Sequence, residues 1–309
     1  MNVKAVFTPL LFSLCASVTL FAQTIPKEEL TFLTSEWKGE RFPDGRPKVP
    51  DALLERAKNI GIDDAWTVLK NEGYTNQFEG NWKLIKDDVP VIGRAVTAQF
   101  MPSRPDVEKN IKDRGIAKQG RKGNTNAWPI ETLTKGDVYV ADAFGKIGGG
   151  TLMGATLGNA IFSKTGNGVV FNGAARDLQE LGNIKGFNAF VRDFHPSFLE
   201  GTVLMGLNTP IRIGNAMVLP GDLVIAQREG VLFVPAHMAE QVVATCEFVT
   251  RKDQFGFEVV KSGRYTTGQI DSEWTDELKS EFLKWLGQHP ELGKMSKAEL
   301  DKMMSKRTW

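Results

Sequence analysis

The residues best able to do chemistry in this chain lie in two short stretches, one opening at Gly154 and the other closing at Asp177. In Gly154-Ala155-Thr156-Leu157-Gly158-Asn159-Ala160 a glycine precedes a run that can become a helix, so the first backbone N–H groups lack partners inside that helix. Such an end attracts a carboxylate or a phosphate. A glycine-rich turn can equally do no more than reverse the chain, and the Gly148-Gly149-Gly150 run just before it adds freedom without chemistry. The second stretch, Asn172-Gly173-Ala174-Ala175-Arg176-Asp177, follows a β-branched segment that reads as a strand beside that helix. Both polar side chains would then emerge near the glycine turn. Arg176 carries a permanent charge on a planar fork that grips a carboxylate at two points. Asp177 offers a hard oxygen ligand suited to Mg²⁺ or Mn²⁺ with several waters retained. The competing structural reading is an ordinary surface Arg-Asp turn. Asp142 is a third candidate, at the end of another predicted strand, where aspartate commonly caps a turn.

Other chemistries lack their markers. The three histidines, His195, His237 and His289, have no metal-ligand spacing. His195, between Asp193 and Pro196, and His237, after Pro235, read as turn or capping residues rather than bases. There is no Gly-x-Ser-x-Gly elbow and no phosphate-binding loop ending in Gly-Lys-Ser or Gly-Lys-Thr, which disfavours hydrolase and nucleotidase readings. With 38 Lys and Arg against 37 Asp and Glu the net charge is +1, so no global field draws nucleic acid, and no nucleic-acid partner is expected.

The elements that must position the candidate residues form a strand and helix alternation. Strands are predicted over Val89–Phe100, Asp137–Ala141, Gly168–Asn172, Phe187–Arg192, Pro210–Ile213, Asp222–Ala226 and Val231–Val234. A helix is expected from Ala155 to Lys164, and another from Met238 to Val249 closes the unit. Ahead of it, Thr24–Asp51 is polar and broken by Pro43, Gly45, Pro47 and Pro50, which predicts an extended arm without regular structure. Two short helices follow, the first from Asp51 to about Ile60 and the second over Asp63–Asn71. The charged stretch Arg104–Gly123 reads as a solvated loop or helix face. In the tail, Trp274, Leu278, Phe282, Leu283, Trp285 and Leu286 recur at helical spacing and predict an amphipathic helix packed on the body.

At 309 residues with 41% hydrophobic and 24% charged side chains, the chain has the composition of a globular protein able to bury a real core. Its start differs: Lys4 precedes an uncharged apolar run from Ala5 to Phe21, which reads as a secretory signal cut after Ala22. An exported, periplasmic or secreted protein is therefore expected, with an uncleaved membrane anchor as the competing reading. Cys15 falls inside that run, so the mature chain would keep only Cys246, and its fold cannot rest on an intramolecular disulfide. Cys246 reads as a small packing residue.

The ordered series Gly136-Asp137-Val138, the Gly154 turn, Val169 through Asp177, Pro220-Gly221-Asp222-Leu223-Val224-Ile225-Ala226, Gly230-Val231 and Pro235 resembles the RraA-like family. That family includes the ribonuclease E regulator and the 4-hydroxy-4-methyl-2-oxoglutarate aldolases, which also decarboxylate oxaloacetate. The resemblance spans roughly Val89 to Thr250. It implies an α/β fold of the swivelling β/β/α type at residues 89–250, with an N-terminal arm and helices at 23–88 and a C-terminal helical extension at 251–309. It also implies a trimer, or a hexamer made of two trimers.

Carried over from the aldolase branch, the N–H groups of Gly154, Ala155, Thr156 and Leu157 and the side chain of Arg176 would hold the carboxylate of a small oxo-acid. Asp177 would bind the divalent metal that stabilises an enolate. Two positions depart from the pattern: Ala155 stands where aldolase-type members usually carry an acid, and Gln227 where many carry aspartate. Asp142 is the candidate replacement for the acid at Ala155, and the region of Glu247 and Asp253 for the acid that aldolases receive from a neighbouring subunit. The resemblance thus implies a metal-dependent lyase, aldolase or decarboxylase, with a non-catalytic binding or regulatory protein as the alternative that Ala155 favours. Regulation of a cytoplasmic ribonuclease does not suit an exported chain. The methyltransferase names attached to the family find no nucleotide-type glycine loop with a ribose-binding acid here.

Overall fold

A computed structural model describes residues 23–292 and 295–306 of the chain. The predicted signal segment, residues 1–22 with Cys15, lies outside the described residues. At the centre is one ten-stranded mixed sheet. Its spine is the strand Val91–Pro102, buried without alternation as far as Ala98 because both faces are covered. On one side it runs parallel to Asp137–Asp142, which is parallel to Val169–Ala175, in turn parallel to Ala189–Phe194. On the other side Leu223–Gln227 and then Gly230–Val234 pair antiparallel. From Ala98 onward the spine takes an antiparallel partner, Thr202–Leu207, across a register shift between Gln99 and Phe100.

Three apolar clusters pack on this sheet. Phe100, Trp128, Tyr139, Phe171 and Phe187 form one, covered by the helix Ala155–Thr165 and the segment after it. Ile92, Leu223, Ile225 and Leu232 form the second, covered by the helices Asp51–Ala57, Ile62–Asn71 and Ala239–Lys261. The two-stranded hairpin Ile211–Ile213 with Ala216–Val218 closes the third over Val138, Val140 and Phe190.

The arm departs from its expected irregularity. Pro26 starts a helix over Lys27–Leu33, with Leu30 buried, because proline at a helix start gives up no hydrogen bond. The rest of the arm is pinned to its own chain by ions. Arg46 pairs at 3.2 Å with the fully buried Asp137, and Arg94 donates to the Val49 carbonyl and the Asp51 carboxylate, each at 2.7 Å. A buried carboxylate persists only when compensated, and Asp137 also accepts from the Thr134 N–H and hydroxyl at 2.9 Å.

The closing helix also differs, running past Val249 to Lys261. Thr250 to Gln254 looks like a polar stop, yet Phe255 and Val259 keep the helical spacing and turn into a separate core with Trp274, Phe282 and Trp285. The charged stretch is a helix, Pro105–Gln119, with only Ile111 and Gly115 buried. Strands Thr151–Met153 and Thr202–Leu207 and the short helix Leu178–Gly182 were not expected from the sequence. Each is too short, or too close to glycine, for a periodic signal to develop.

Asp222 gives the fold a pH dependence. It is buried at a turn where its carboxylate accepts the Leu219 N–H at 2.8 Å. Burial pushes its carboxyl up from an ordinary 3.8 to about 7, against the hydrogen bonds from the Leu219 and Ala236 backbone. The folded chain therefore keeps this proton to higher pH than the unfolded chain does, so raising the pH from about 4 through about 7 favours unfolding. Denaturant unfolding at pH 5 and pH 8 is expected to show this loss in the native protein. In Asp222→Asn, whose amide oxygen can still accept the Leu219 N–H, that part of the loss should vanish.

Candidate functional site

The sheet register brings the two chemical stretches together. Thr151–Met153 lies parallel to the end of Val169–Ala175, with Met153 beside Ala175, and the Arg176 N–H donates to the Met153 carbonyl at 3.0 Å. One residue later Gly154 turns the chain into the helix Ala155–Thr165. On the other strand, Asp177 adopts a left-handed backbone at φ +60° that ends the strand and starts Leu178–Gly182. Aspartate is among the few residues that tolerate this conformation.

The two ends then lock. Asp177 Oδ2 accepts the Ala155 N–H at 2.9 Å. The helix has no side-chain cap of its own, and its first return bond runs from the Gly158 N–H to the Gly154 carbonyl. This leaves Thr156 and Leu157 in the cavity wall at the positive end of the helix dipole. Gly154 is required for space: a Cβ there would sit 2.5 Å from Asp177 Oδ2 and 2.8 Å from Arg176 Nε.

The cavity so formed measures about 260 Å³. Arg176 lies in its wall with Nε 3.7 Å from Asp177 Oδ2 and its guanidinium carbon 4.4 Å above the Phe198 ring. Phe198, although apolar, is 65% exposed, and Leu199 beside it also lines the cavity. Asn124, Asn126, Thr151 and Met153 line it as well. Gly154, Ala155, Thr156, Leu157, Arg176 and Asp177 thus all line one cavity. Phe198, Asn124 and Asn126 were missed by sequence reasoning. The only signal for them is an aromatic in the turn His195-Pro196-Ser197-Phe198 and a pair of asparagines in a polar loop, and neither is specific.

Asp142 does not line this cavity. Its Oδ1 accepts the Phe144 N–H at 2.9 Å and the Asn172 amide at 2.8 Å, the turn-capping role open to a strand-end aspartate. Asn172 passes the chain of contacts to Arg192, and Arg192 to Glu79 at 2.7 Å. His195 accepts the Ser197 N–H at Nδ1, while Ser197 Oγ accepts the Gly149 N–H, so this histidine fixes the glycine run. His237 stands 2.9 Å from the Tyr74 hydroxyl, and burial lowers its pKa against the charge of Glu36.

Gln227 holds the turn between the helices Asp51–Ala57 and Ile62–Asn71, donating to the Ile60 carbonyl and accepting the Ile62 N–H. Glu247 is held by Arg56 through two bonds of 2.8 and 2.9 Å, which keep its carboxyl below the usual range. Asp253, half buried further along the same helix, has its carboxyl pushed up by burial. Cys246 is buried in the helical cluster, and desolvation raises its thiol to about 12, so it is inert packing.

A divalent cation fits the chemistry of Asp177, though only as a water-rich site. Asp177 is the one carboxylate among the described residues lining the cavity. No group of three His, Cys, Asp or Glu able to hold a metal occurs among the described residues. Mg²⁺ is commonly bound through one or two carboxylates with several waters retained.

A family model described as Aldolase/RraA matches residues 49–233, more than half of the 309-residue chain. A protein of Halalkalibacterium halodurans named "Putative 4-hydroxy-4-methyl-2-oxoglutarate aldolase" is 32% identical over 114 residues, covering 35% of this chain and 50% of that protein. The chain therefore spans about half the length of that curated relative. Among solved structures, an uncharacterized protein from Pseudomonas syringae pv. tomato superposes with TM-score 0.58 at 20% identity, over 72% of this chain and 98% of that one. RraAS2 of Streptomyces coelicolor, an unusual member of the RNase ES inhibitor RraA protein family, gives TM-score 0.57 at 24% identity, over 71% and 100%. At these identities the two structures speak for the fold alone. With the sheet, the Gly154 turn and the Arg176-Asp177 pair in the matched region, the chain belongs to the RraA-like (Aldolase/RraA) family.

Proposed function

We propose that this protein is a divalent-metal-dependent lyase, an aldolase or decarboxylase, acting on a small oxo-acid with a pyruvate-like end. The observation that carries the reading is the joining of Arg176, Asp177 and the first turn of the helix Ala155–Thr165 around one small cavity. Arg176 takes the carboxylate through its fork, and the Thr156 and Leu157 N–H groups add donors on the same side. Phe198 and Leu199 present apolar surface to the carbon chain. Cleavage beside the ketone pushes an electron pair onto the pyruvate fragment, whose ketone oxygen becomes negative. A Mg²⁺ or Mn²⁺ ion held through Asp177 would supply the positive charge that this oxygen needs. We also propose that the chain acts outside the cytoplasm, after cleavage following Ala22, as a trimer or hexamer.

One observation favours the second reading, a binding protein without turnover. With Ala155 in the turn and Asp142 occupied elsewhere, Asp177 is the sole carboxylate among the described residues of this chain that line the cavity. One assay separates the two. Purified protein with Mg²⁺ or Mn²⁺ is offered oxaloacetate, 4-hydroxy-4-methyl-2-oxoglutarate and 4-hydroxy-4-methyl-2-oxopentanoate, and pyruvate is followed. Release that stops on chelation by EDTA and returns with metal is the expected result. Oxo-acid binding with no release from any of the three would establish the binder instead.

A further inference from the structure

We infer that Phe198 is a positioning residue, whose ring holds the Arg176 guanidinium in the orientation that receives the substrate carboxylate. The inference rests on the oxo-acid reading above and concerns how the arginine of that site is aimed. Asp177 alone does not aim it. Its Oδ2 lies 3.7 Å from Arg176 Nε, too far for a hydrogen bond, and already accepts the Ala155 N–H at 2.9 Å. An ion pair at that distance attracts the guanidinium without fixing its plane. Arg176 is partly exposed, and a long side chain free to change rotamer must give up that freedom when it grips a carboxylate at two points. The Phe198 ring, 4.4 Å from the guanidinium carbon, supplies the missing constraint. A ring face attracts a guanidinium laid over it, and the contact uses none of the in-plane N–H groups that a carboxylate needs.

The ring can act this way because the chain on both sides of it is braced. Ser197 Oγ accepts the Gly149 N–H, and the Glu200 N–H donates to the Gly149 carbonyl, each at 2.8 Å. Lys146 Nζ donates to the Glu200 carbonyl at 2.5 Å, and Gly150 and Leu199 form an antiparallel bridge. The Gly148-Gly149-Gly150 run is thus the seat of the loop that carries Phe198. Glycine is needed at 150, since a Cβ there would run into the Lys146 carbonyl. With the loop already ordered, laying Arg176 against the ring costs little further freedom.

Calorimetric titration with oxalate in Mg²⁺ buffer tests this, because oxalate has carboxylates but no carbon chain for an apolar side chain to cover. The negative face of an aromatic ring offers an anion no direct attraction, so any loss on removing the ring comes through Arg176. Phe198→Leu, apolar but without a ring, is expected to weaken oxalate about three- to fivefold, and Phe198→Trp to bind it as the native protein does. Because Phe198 is 65% exposed, both variants should keep the native unfolding midpoint to within about 2 °C. Native affinity in Phe198→Leu, or equal weakening in Phe198→Leu and Phe198→Trp, would overturn the inference while leaving the oxo-acid site standing. Failure of the native protein to bind either oxalate or pyruvate would remove the oxo-acid reading, and the inference with it.

Discussion

Asp177→Asn is expected to lower metal-dependent pyruvate release by about a hundredfold or more, with the thermal midpoint within about 3 °C of the native value. The substitution is chosen because Asp177 does two things. Its backbone sits at φ +60° between the strand Val169–Ala175 and the helix Leu178–Gly182, and its Oδ2 accepts the Ala155 N–H. Asparagine tolerates the left-handed region almost as well as aspartate, and its amide oxygen can accept the same N–H, so both structural duties survive. The negative charge does not. Without it the site loses its hard anionic ligand and the attraction that holds Arg176 Nε at 3.7 Å. Alanine would be a poorer probe, because it lacks the acceptor and strains the left-handed backbone. Kinetics of Asp177→Asn across Mn²⁺ concentration give the check. Unchanged release at every metal concentration would show that Asp177 carries no catalytic charge.

Much of the fold is legible in the sequence, for reasons the structure makes plain. Strands buried on both faces, such as Val138–Ala141 and Val169–Phe171, are dense β-branched runs between turn residues, and nothing else suits such composition. Arg176 and Asp177 are legible for a related reason: two charged residues directly after a largely apolar strand must emerge at its end. What is not legible is set by pairing across long sequence separations. Thr151-Leu152-Met153 becomes a strand only because Ala174 and Ala175 offer it an edge, and three residues carry no period. The same holds for Phe198, Asn124 and Asn126, which reach the cavity because tertiary packing folds their loops over it. Asp142 shows the converse. Its strand end is correctly placed by the sequence, but which neighbour takes its carboxylate depends on Asn172, facing it across a parallel register.

Gly154→Ala should weaken oxo-acid binding and pyruvate release by about a hundredfold, although it adds only one methyl group and leaves the fold intact. A glycine opening a helix suggests a need for unusual backbone angles, but at φ −123° Gly154 sits where any residue can. The constraint is space. The added Cβ would lie 2.5 Å from Asp177 Oδ2, 2.8 Å from Arg176 Nε and 3.2 Å from Arg176 Cγ, distances that must open. All three contacts are with side-chain atoms rather than backbone, so the protein should remain folded. The atoms that swing are the ones that hold the ligand: Asp177 would release the Ala155 N–H, and Arg176 would be driven off its stack on Phe198. A displacement of about 1 Å in such groups is enough for the predicted loss. Calorimetric affinity for pyruvate or oxalate, read beside circular dichroism and the unfolding midpoint, separates this from general damage. Wild-type affinity in a folded Gly154→Ala protein would mean that the Arg176-Asp177 pair is not where the carboxylate binds.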